Sequence, residues 1–268
     1  MKVSRIFEKI NTTFTAEFGH SVVNNKEELV NYCNKYWFKD VTINTCRGYL
    51  QYINMYLADK KIDCKLNVAD FTVRETKAGL LSKKEIMSYI DILDNEQDKF
   101  IVYALFKGIA GKEVEELRTL KINQIDFENK KIILSNREVE MDDVMVELVT
   151  GAIKQDAYDL IKFSDGASVQ SFNFNMSSEY IIKSRPTKTN NMGTDVMKYD
   201  AFRKRLKTIS QYLDNNITPD ILLKSGYAYM VYEKYGKDAT YSMVEQLIKE
   251  KSMKASIRNV INAYKNIY

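Results

Sequence analysis

The residues of this chain best placed to do chemistry are cations. Lys198, Arg203, Lys204, Arg205 and Lys207 crowd one short stretch, with Lys183, Arg185 and Lys188 upstream of it. Dense Lys and Arg neutralise phosphates and release their counterions, which is the sequence-independent part of nucleic-acid binding. The same residues also suit a plain solvated surface. At helical spacing Arg203 and Lys207 share a face and Lys204 falls on another, so about half of the cluster is expected to face a polyanion. Metal chemistry is poorly supplied. There is one histidine (His20) and there are three cysteines (Cys33, Cys46, Cys64), with no CxxC. A zinc site needs about four well-spaced ligands, so the cysteines read as small apolar core residues. No metal or cofactor is implied.

Charge along the chain is uneven. Residues 1–76 carry a net +2, residues 77–180 a net −6 and residues 181–268 a net +8. A basic last third beside an acidic middle is a footprint to test against nucleic acid. Hydrophobic residues make up 45% of the 268, which suits a globular chain with one large core or two modest domains. No apolar run approaches the roughly 20 residues that span a membrane. Residues 1–10 lack a secretory core, so a cytoplasmic protein is expected.

The elements that must hold these cations are mainly helical, since only Pro186 and Pro219 interrupt the chain. Apolar stripes predict helices over 26–39 and 42–58, the second capped by Thr42, followed by a linker over 66–78. Ser82-Lys83-Lys84-Glu85 is a capping box that starts a helix at Lys83. Further helices are expected over 96–110 and 114–120, separated by Gly111. The period then changes, and residues 124–127, 131–134 and 138–141 read as three short strands. Asp142 can cap a helix over 143–154. Residues 163–198 read as irregular. Helices follow over 200–213, from Thr218-Pro219 to 235, near 240–250 and over 253–266. The tyrosine-rich groups (Tyr32, Tyr36, Trp37, Tyr49, Tyr52, Tyr56 and Tyr227, Tyr229, Tyr232, Tyr235) read as core or interface residues rather than base-stacking platforms.

This order resembles the tyrosine recombinase (phage integrase) family. Residues 110–126, AGKEVEELRTLKINQID, are similar to the family segment T-G-L-R-x-S-E-L-x-x-L-x-x-x-D-I-D, with Gly111, Glu116, Leu117, Leu120, Ile125 and Asp126 in place. Thr45 and Tyr49 match the family's T-x-x-x-Y helix. Residues 217–230, ITPDILLKSGYAYM, resemble its I-T-x-H-x-L-R-H-S-F-A-T segment. The resemblance covers about residues 25–268. It implies a mainly α fold with a small three-stranded antiparallel sheet, and two domains: a helical core-binding domain over 1–76 and a catalytic-like domain over 77–268.

The departures from the family carry the functional expectation. Such recombinases cut DNA with a tyrosine, and two arginines, a lysine and histidines stabilise the developing charge and move protons. Here the first arginine position falls on Glu113, whose carboxylate would repel the scissile phosphate. The H-x-x-R box falls on Asp220 and Leu223, or more loosely on Lys224. The late histidine falls near Lys249–Lys251, and the turn lysine near Asn136-Arg137. Tyr264 lies near the nucleophile position. Each lost charge contact costs about 2–4 kcal/mol in the transition state, roughly 10²–10³ in rate. The resemblance therefore implies a fold without cleavage activity.

DNA binding does not need those groups. The resemblance implies a basic clamp on double-stranded DNA with contacts from Thr42, Asn44, Thr45 and Arg47 at a helix start, where backbone amides favour phosphate. Arg137, Lys183, Arg185, Lys188, Lys198, Arg203, Arg205 and Lys207 are its candidates in the second domain. Glu113 is expected to pair with Arg137 or Lys224. The expected function is a sequence-specific transcriptional repressor that maintains phage lysogeny, like the integrase-fold master repressors of SPβ-like phages. The alternatives are a divergent active recombinase using Tyr264 and a helical protein-interaction module. Expected partners beyond DNA are an antagonist protein or peptide and a second copy bound through residues 253–268, with no membrane.

Overall fold

The computed structural model describes residues 3–22, 25–38, 41, 43–71, 79–160, 170–187, 192–253 and 255–268. The chain divides into two compact units. One holds residues up to 77 with 213–215, and the other holds 78–212 with 216–268.

The first unit is helical. It contains α1 (Val3–Phe18), α2 (Lys26–Cys33) and α3 (Ile43–Asp59). No helix is expected from the sequence over 3–18, yet Ile10 and Phe14 of α1 are almost fully buried. Phe14 meets Tyr32 edge-on at 5.2 Å, and the Tyr56 hydroxyl bonds Asn11. The signal was available, since Ile6, Ile10 and Phe14 recur at four-residue spacing. The expected helix over 26–39 is present and is α-helical as far as Cys33. After Cys33 the backbone widens into a π turn (Asn34–Phe38), in which the adjacent Trp37 and Phe38 are both buried. Cys33 and Cys46 are buried and unpaired, and Cys64 is half-buried. Burial pushes the Cys46 thiol up to about 11 and Cys33 higher still, which leaves both inert as nucleophiles.

The second unit is built around α5 (Glu96–Phe106), where every residue from Gln97 to Phe106 is buried. A helix buried all round needs partners on several sides. Here α7 (Asp143–Lys154) and α9 (Pro219–Tyr235) pack against α5, and α4 (Lys83–Ile92) contacts both α5 and α9. Glycine permits the closest approach, since Gly226 of α9 lies directly on the Phe106 backbone. The helix starts follow local chemistry. Ser82 and Glu85 form the capping box of α4, Asp142 accepts from Met145 N at the start of α7, and Thr218 with Pro219 opens α9.

The expected meander is present. Strands β1 (Ile125–Asp126), β2 (Lys131–Ile133) and β3 (Glu138–Glu140) form a three-stranded antiparallel sheet in that order, with Ile132 opposite both Ile125 and Val139. The fold is mainly α with this small sheet. One departure is a second ribbon, in which β4 (Ala157–Asp159) pairs antiparallel with β5 (Ser171–Asn173), and β5 falls inside the stretch expected to be irregular over 163–198. The other is between α5 and the short α6 (Glu115–Arg118). There Gly111, Glu113 and Val114 all take positive φ, so the chain turns sharply before the helix begins. The remaining helices are α8 (Tyr199–Tyr212), α10 (Tyr241–Glu250) and α11 (Ile257–Ile267). No helix among the described residues is long and apolar enough to cross a membrane.

Candidate functional site

A cavity of about 570 Å³ opens in the second unit. Its walls are the end of α5 (Lys107, Gly108), the β2–β3 hairpin (Lys131, Asn136 to Glu140), α9 (Tyr227, Met230, Glu233, Lys234) and the α10 end (Leu247, Glu250 to Met253). It therefore gathers two of the positions where the resemblance places charge-stabilising groups, the Asn136-Arg137 turn and Lys251. Every cation of the lining already has a carboxylate. Arg137 holds Glu116 at 2.8 Å and also donates to the Gly108 carbonyl. Lys107 meets Asp142 at 3.3 Å, Lys131 meets Glu138 at 2.7 Å and Lys251 meets Glu140 at 3.4 Å. Lys234 pairs with Glu250. A scissile phosphate entering here would find its cations already neutralised and four carboxylates beside them.

The expected partner of Glu113 is corrected. Arg137 goes to Glu116 and Lys224 to Asp220, four residues away on α9 at 2.6 Å. The left-handed backbone at Glu113 leaves that residue exposed, while its carbonyl accepts from Arg118 Nε. Gly111 makes the Glu116 arrangement feasible, because a Cβ there would sit 2.9 Å from Glu116 Cγ. Leu223 packs into the apolar cluster of α9, α10 and α11. Asp220 and Leu223 do not line the cavity.

Tyr264 is 4% exposed within that cluster. Its hydroxyl donates to the Gly236 carbonyl at 2.8 Å and accepts from Ala239 N at 3.4 Å. A nucleophile must reach solvent and a base, whereas this phenol is buried and its hydrogen bonds among the described residues go to backbone groups. The terminal Tyr268 stacks on Tyr232 with ring centroids 4.2 Å apart. Residues 257–267 thus bury their apolar face on α9 of their own chain.

Two of the predicted DNA contacts are corrected by burial. Arg205 reaches inward to Asp98 at 2.6 Å, and that carboxylate has no exposure at all. The Tyr158 hydroxyl donates to the same carboxylate, and its ring lies under the guanidinium at 4.5 Å. Burial opposes the charge on Arg205, but Asp98 and Tyr158 hold its pKa above the ordinary value. Lys183 is 1% exposed. Its Nζ donates to the carbonyls of Ala152, Ile153 and Gln155 at the end of α7, where the helix dipole favours a cation. Both residues therefore support the core instead of facing a ligand.

Burial, aided by Arg205, pulls the Lys183 pKa down to about 8 from an ordinary 10.5. Between those values the unfolded chain binds more protons than the folded one. Stability is then expected to rise with pH across the window, by up to about 1 kcal/mol per pH unit from this group. Urea midpoints measured through that window should climb for the natural chain and stay flatter in Lys183→Met. Equal slopes would show that Lys183 does not titrate there.

The remaining candidates divide by placement. Arg203, Lys204 and Lys207 are exposed on α8, and Lys198 is exposed just before it. At 100° per residue these three α8 cations fall within about 100° of arc. Phe202, Leu206 and Ile209 fill the opposite, buried side. Lys204 therefore joins Arg203 and Lys207, and Arg205 is the residue set apart. Arg185 is exposed and lies over the Phe172 ring at 5.0 Å. In the first unit Arg47 is exposed on α3. Thr42 and Lys188 lie outside the described residues, as do the side chains of Asn44 and Thr45. No group of three or more His, Cys, Asp or Glu among the described residues could hold a metal.

Comparison with known proteins places these features in a family. The SPbeta prophage-derived uncharacterized protein YopR of Bacillus subtilis (strain 168) is 23% identical over 219 residues, 74% of this chain and 66% of YopR. The chain thus spans just under two thirds of that relative's length. Among solved structures, XerA recombinase is similar at 12% identity with a TM-score of 0.46, over 98% of this chain and 92% of that one. The Tn1549 transposon integrase (residues 82–397), in complex with circular intermediate DNA, is similar at 13% identity with a TM-score of 0.41, over 91% and 81%. The family model described as MrpR, C-terminal catalytic domain, matches residues 80–265, which is more than half of the chain and includes the cavity, Tyr264 and α8. This chain belongs to that family.

Proposed function

We propose that the chain is a sequence-specific DNA-binding transcriptional regulator, a repressor that maintains phage lysogeny, keeps a recombinase-like fold and does not cut DNA. The observation that carries this reading is the contrast between two sets of cations. Those lining the cavity are all paired with carboxylates, and the buried Tyr264 phenol is engaged by backbone. On α8, Lys204 and Lys207 are exposed and have no carboxylate partner among the described residues, and the nearest to Arg203 is Asp200 at 4.0 Å. Charge has left the position where a phosphate would be cleaved and remains where a phosphate can be held. The relationship to a prophage-derived protein supports a phage origin.

The reading is tested by binding to phage and genomic DNA fragments, with covalent adducts scored in the same tubes. Tight, salt-dependent, sequence-selective binding without an adduct is expected. An adduct that disappears in Tyr264→Phe would restore the active recombinase, and no binding at low salt would favour a protein-interaction module. Arg203→Ala and Lys207→Ala should each weaken binding evenly across sequences. Each should also reduce the slope of log K against log salt by about 0.9. An unchanged slope in both variants would remove α8 from the interface.

A further inference from the structure

We propose that the cavity between the β2–β3 hairpin, α9 and the α10 end binds a small dipolar molecule, one with a free ammonium, a free carboxylate and an apolar body, as in a short peptide with free termini. Its volume of about 570 Å³ lies within the roughly 300–1,000 Å³ typical of small-molecule sites. The lining mixes both charges around an apolar component. Lys131, Lys234 and Lys251 alternate with Glu138, Glu140, Glu233 and Glu250, while Tyr227, Met230, Leu247 and Met253 supply apolar wall.

This mixture selects the ligand class. A simple anion, DNA phosphate included, gains each lysine only by meeting the neighbouring carboxylate, and a simple cation has the converse problem. A dipolar molecule can insert between the partners of an existing pair and satisfy both. The bridges at the mouth are easily opened. Lys251 and Glu140 stand 3.4 Å apart with side chains 43% and 79% exposed, and Lys234 and Glu250 are 38% and 45% exposed. Such half-exposed pairs contribute little to stability. Two polar groups are held back from the bridges. Among the described residues the exposed Asn136 amide has no partner, and Glu233 accepts only the Tyr229 hydroxyl, at 2.7 Å. Together they add an acceptor for the ammonium and a donor for the carboxylate beside the Lys234–Glu250 and Lys251–Glu140 pairs that the ligand opens.

The test uses the full chain labelled with ¹³C at the methionine methyls. Met230 and Met253 line the cavity, while Met176 and Met192 are exposed outside it and serve as internal controls. The probe is the tripeptide Ala-Leu-Ala at millimolar concentration, with free termini or with both termini capped by acetyl and amide. Saturable shifts of the Met230 and Met253 resonances are expected with the free peptide only. Binding should be at least about tenfold weaker in Glu250→Gln, a surface change that leaves the core intact. Equal shifts from the capped peptide would overturn the dipolar class. No shift, or shifts shared with Met176 and Met192, would overturn the site.

Discussion

Gly226→Ala is expected to remove about 3 kcal/mol or more of stability, among the largest effects of any single methyl group in this chain. The reason is geometric. A Cβ on Gly226 would overlap the Phe106 carbonyl oxygen and come within 2.6 Å of the carbonyl carbon. The obstacle is backbone at the end of α5, so no rotamer change can clear it. The two helices would have to separate, and α5 is the element on which α4, α7 and α9 all converge. Ordinary helix propensity predicts the opposite sign, since alanine is favoured over glycine within a helix by about 1 kcal/mol. Thermal or urea unfolding followed by far-UV circular dichroism would decide between them. A variant as stable as the natural chain would show that α5 and α9 do not approach this closely. Trp37, the only tryptophan, lies in the first unit and would be a poor reporter of this change.

Asp98→Ala is expected to cost about 3–5 kcal/mol, because it leaves the Arg205 guanidinium buried without its counter-charge. The pair is closely confined. Arg205 Nε lies 2.6 Å from Asp98 Oδ1, Nη1 donates to the Gln97 amide oxygen at 3.1 Å, and Nη2 already lacks a partner among the described residues. The Tyr158 hydroxyl would lose its acceptor as well. The double variant Asp98→Ala with Arg205→Met should recover most of the loss, since an apolar side chain in that space carries no desolvation penalty. The urea midpoints of the two variants provide the test. If the double variant is no better than the single, Asp98 does not act through Arg205. If Asp98→Ala alone is harmless, the pair is not buried in solution. Arg205→Met by itself should leave the salt slope of DNA binding unchanged, in contrast to Arg203→Ala.

Much of the fold was legible from local spacing. The Ser82–Glu85 box, the Asp142 cap and the Thr218-Pro219 start each depend on three or four consecutive residues, and each falls where the spacing predicts. The three-stranded meander was legible for the same reason, since its turns join neighbouring strands. The β4–β5 ribbon was not, because its strands are separated by a longer stretch and neither is strongly patterned. The π turn after Cys33 hid within a regular helical stripe, which cannot distinguish two wound turns from a wider one.

The candidate site divides along the same line. Composition and spacing were sufficient to place a basic last third and to show a short supply of cysteine and histidine, and it was the family resemblance that marked Glu113, Asp220 and Leu223 as departures from a cleaving enzyme. They could not say which cations face water. Arg205 turns inward because Asp98, 107 residues earlier, waits in the core, and Lys183 because α7 ends in open carbonyls about thirty residues earlier. Charge is carried by residue type and is readable in one dimension. The worth of a charge depends on its solvent and its partner, and both are supplied by residues far away in sequence. That is why the inventory of cations came from the chain, while their division into core ties, cavity pairs and an exposed α8 row came from packing.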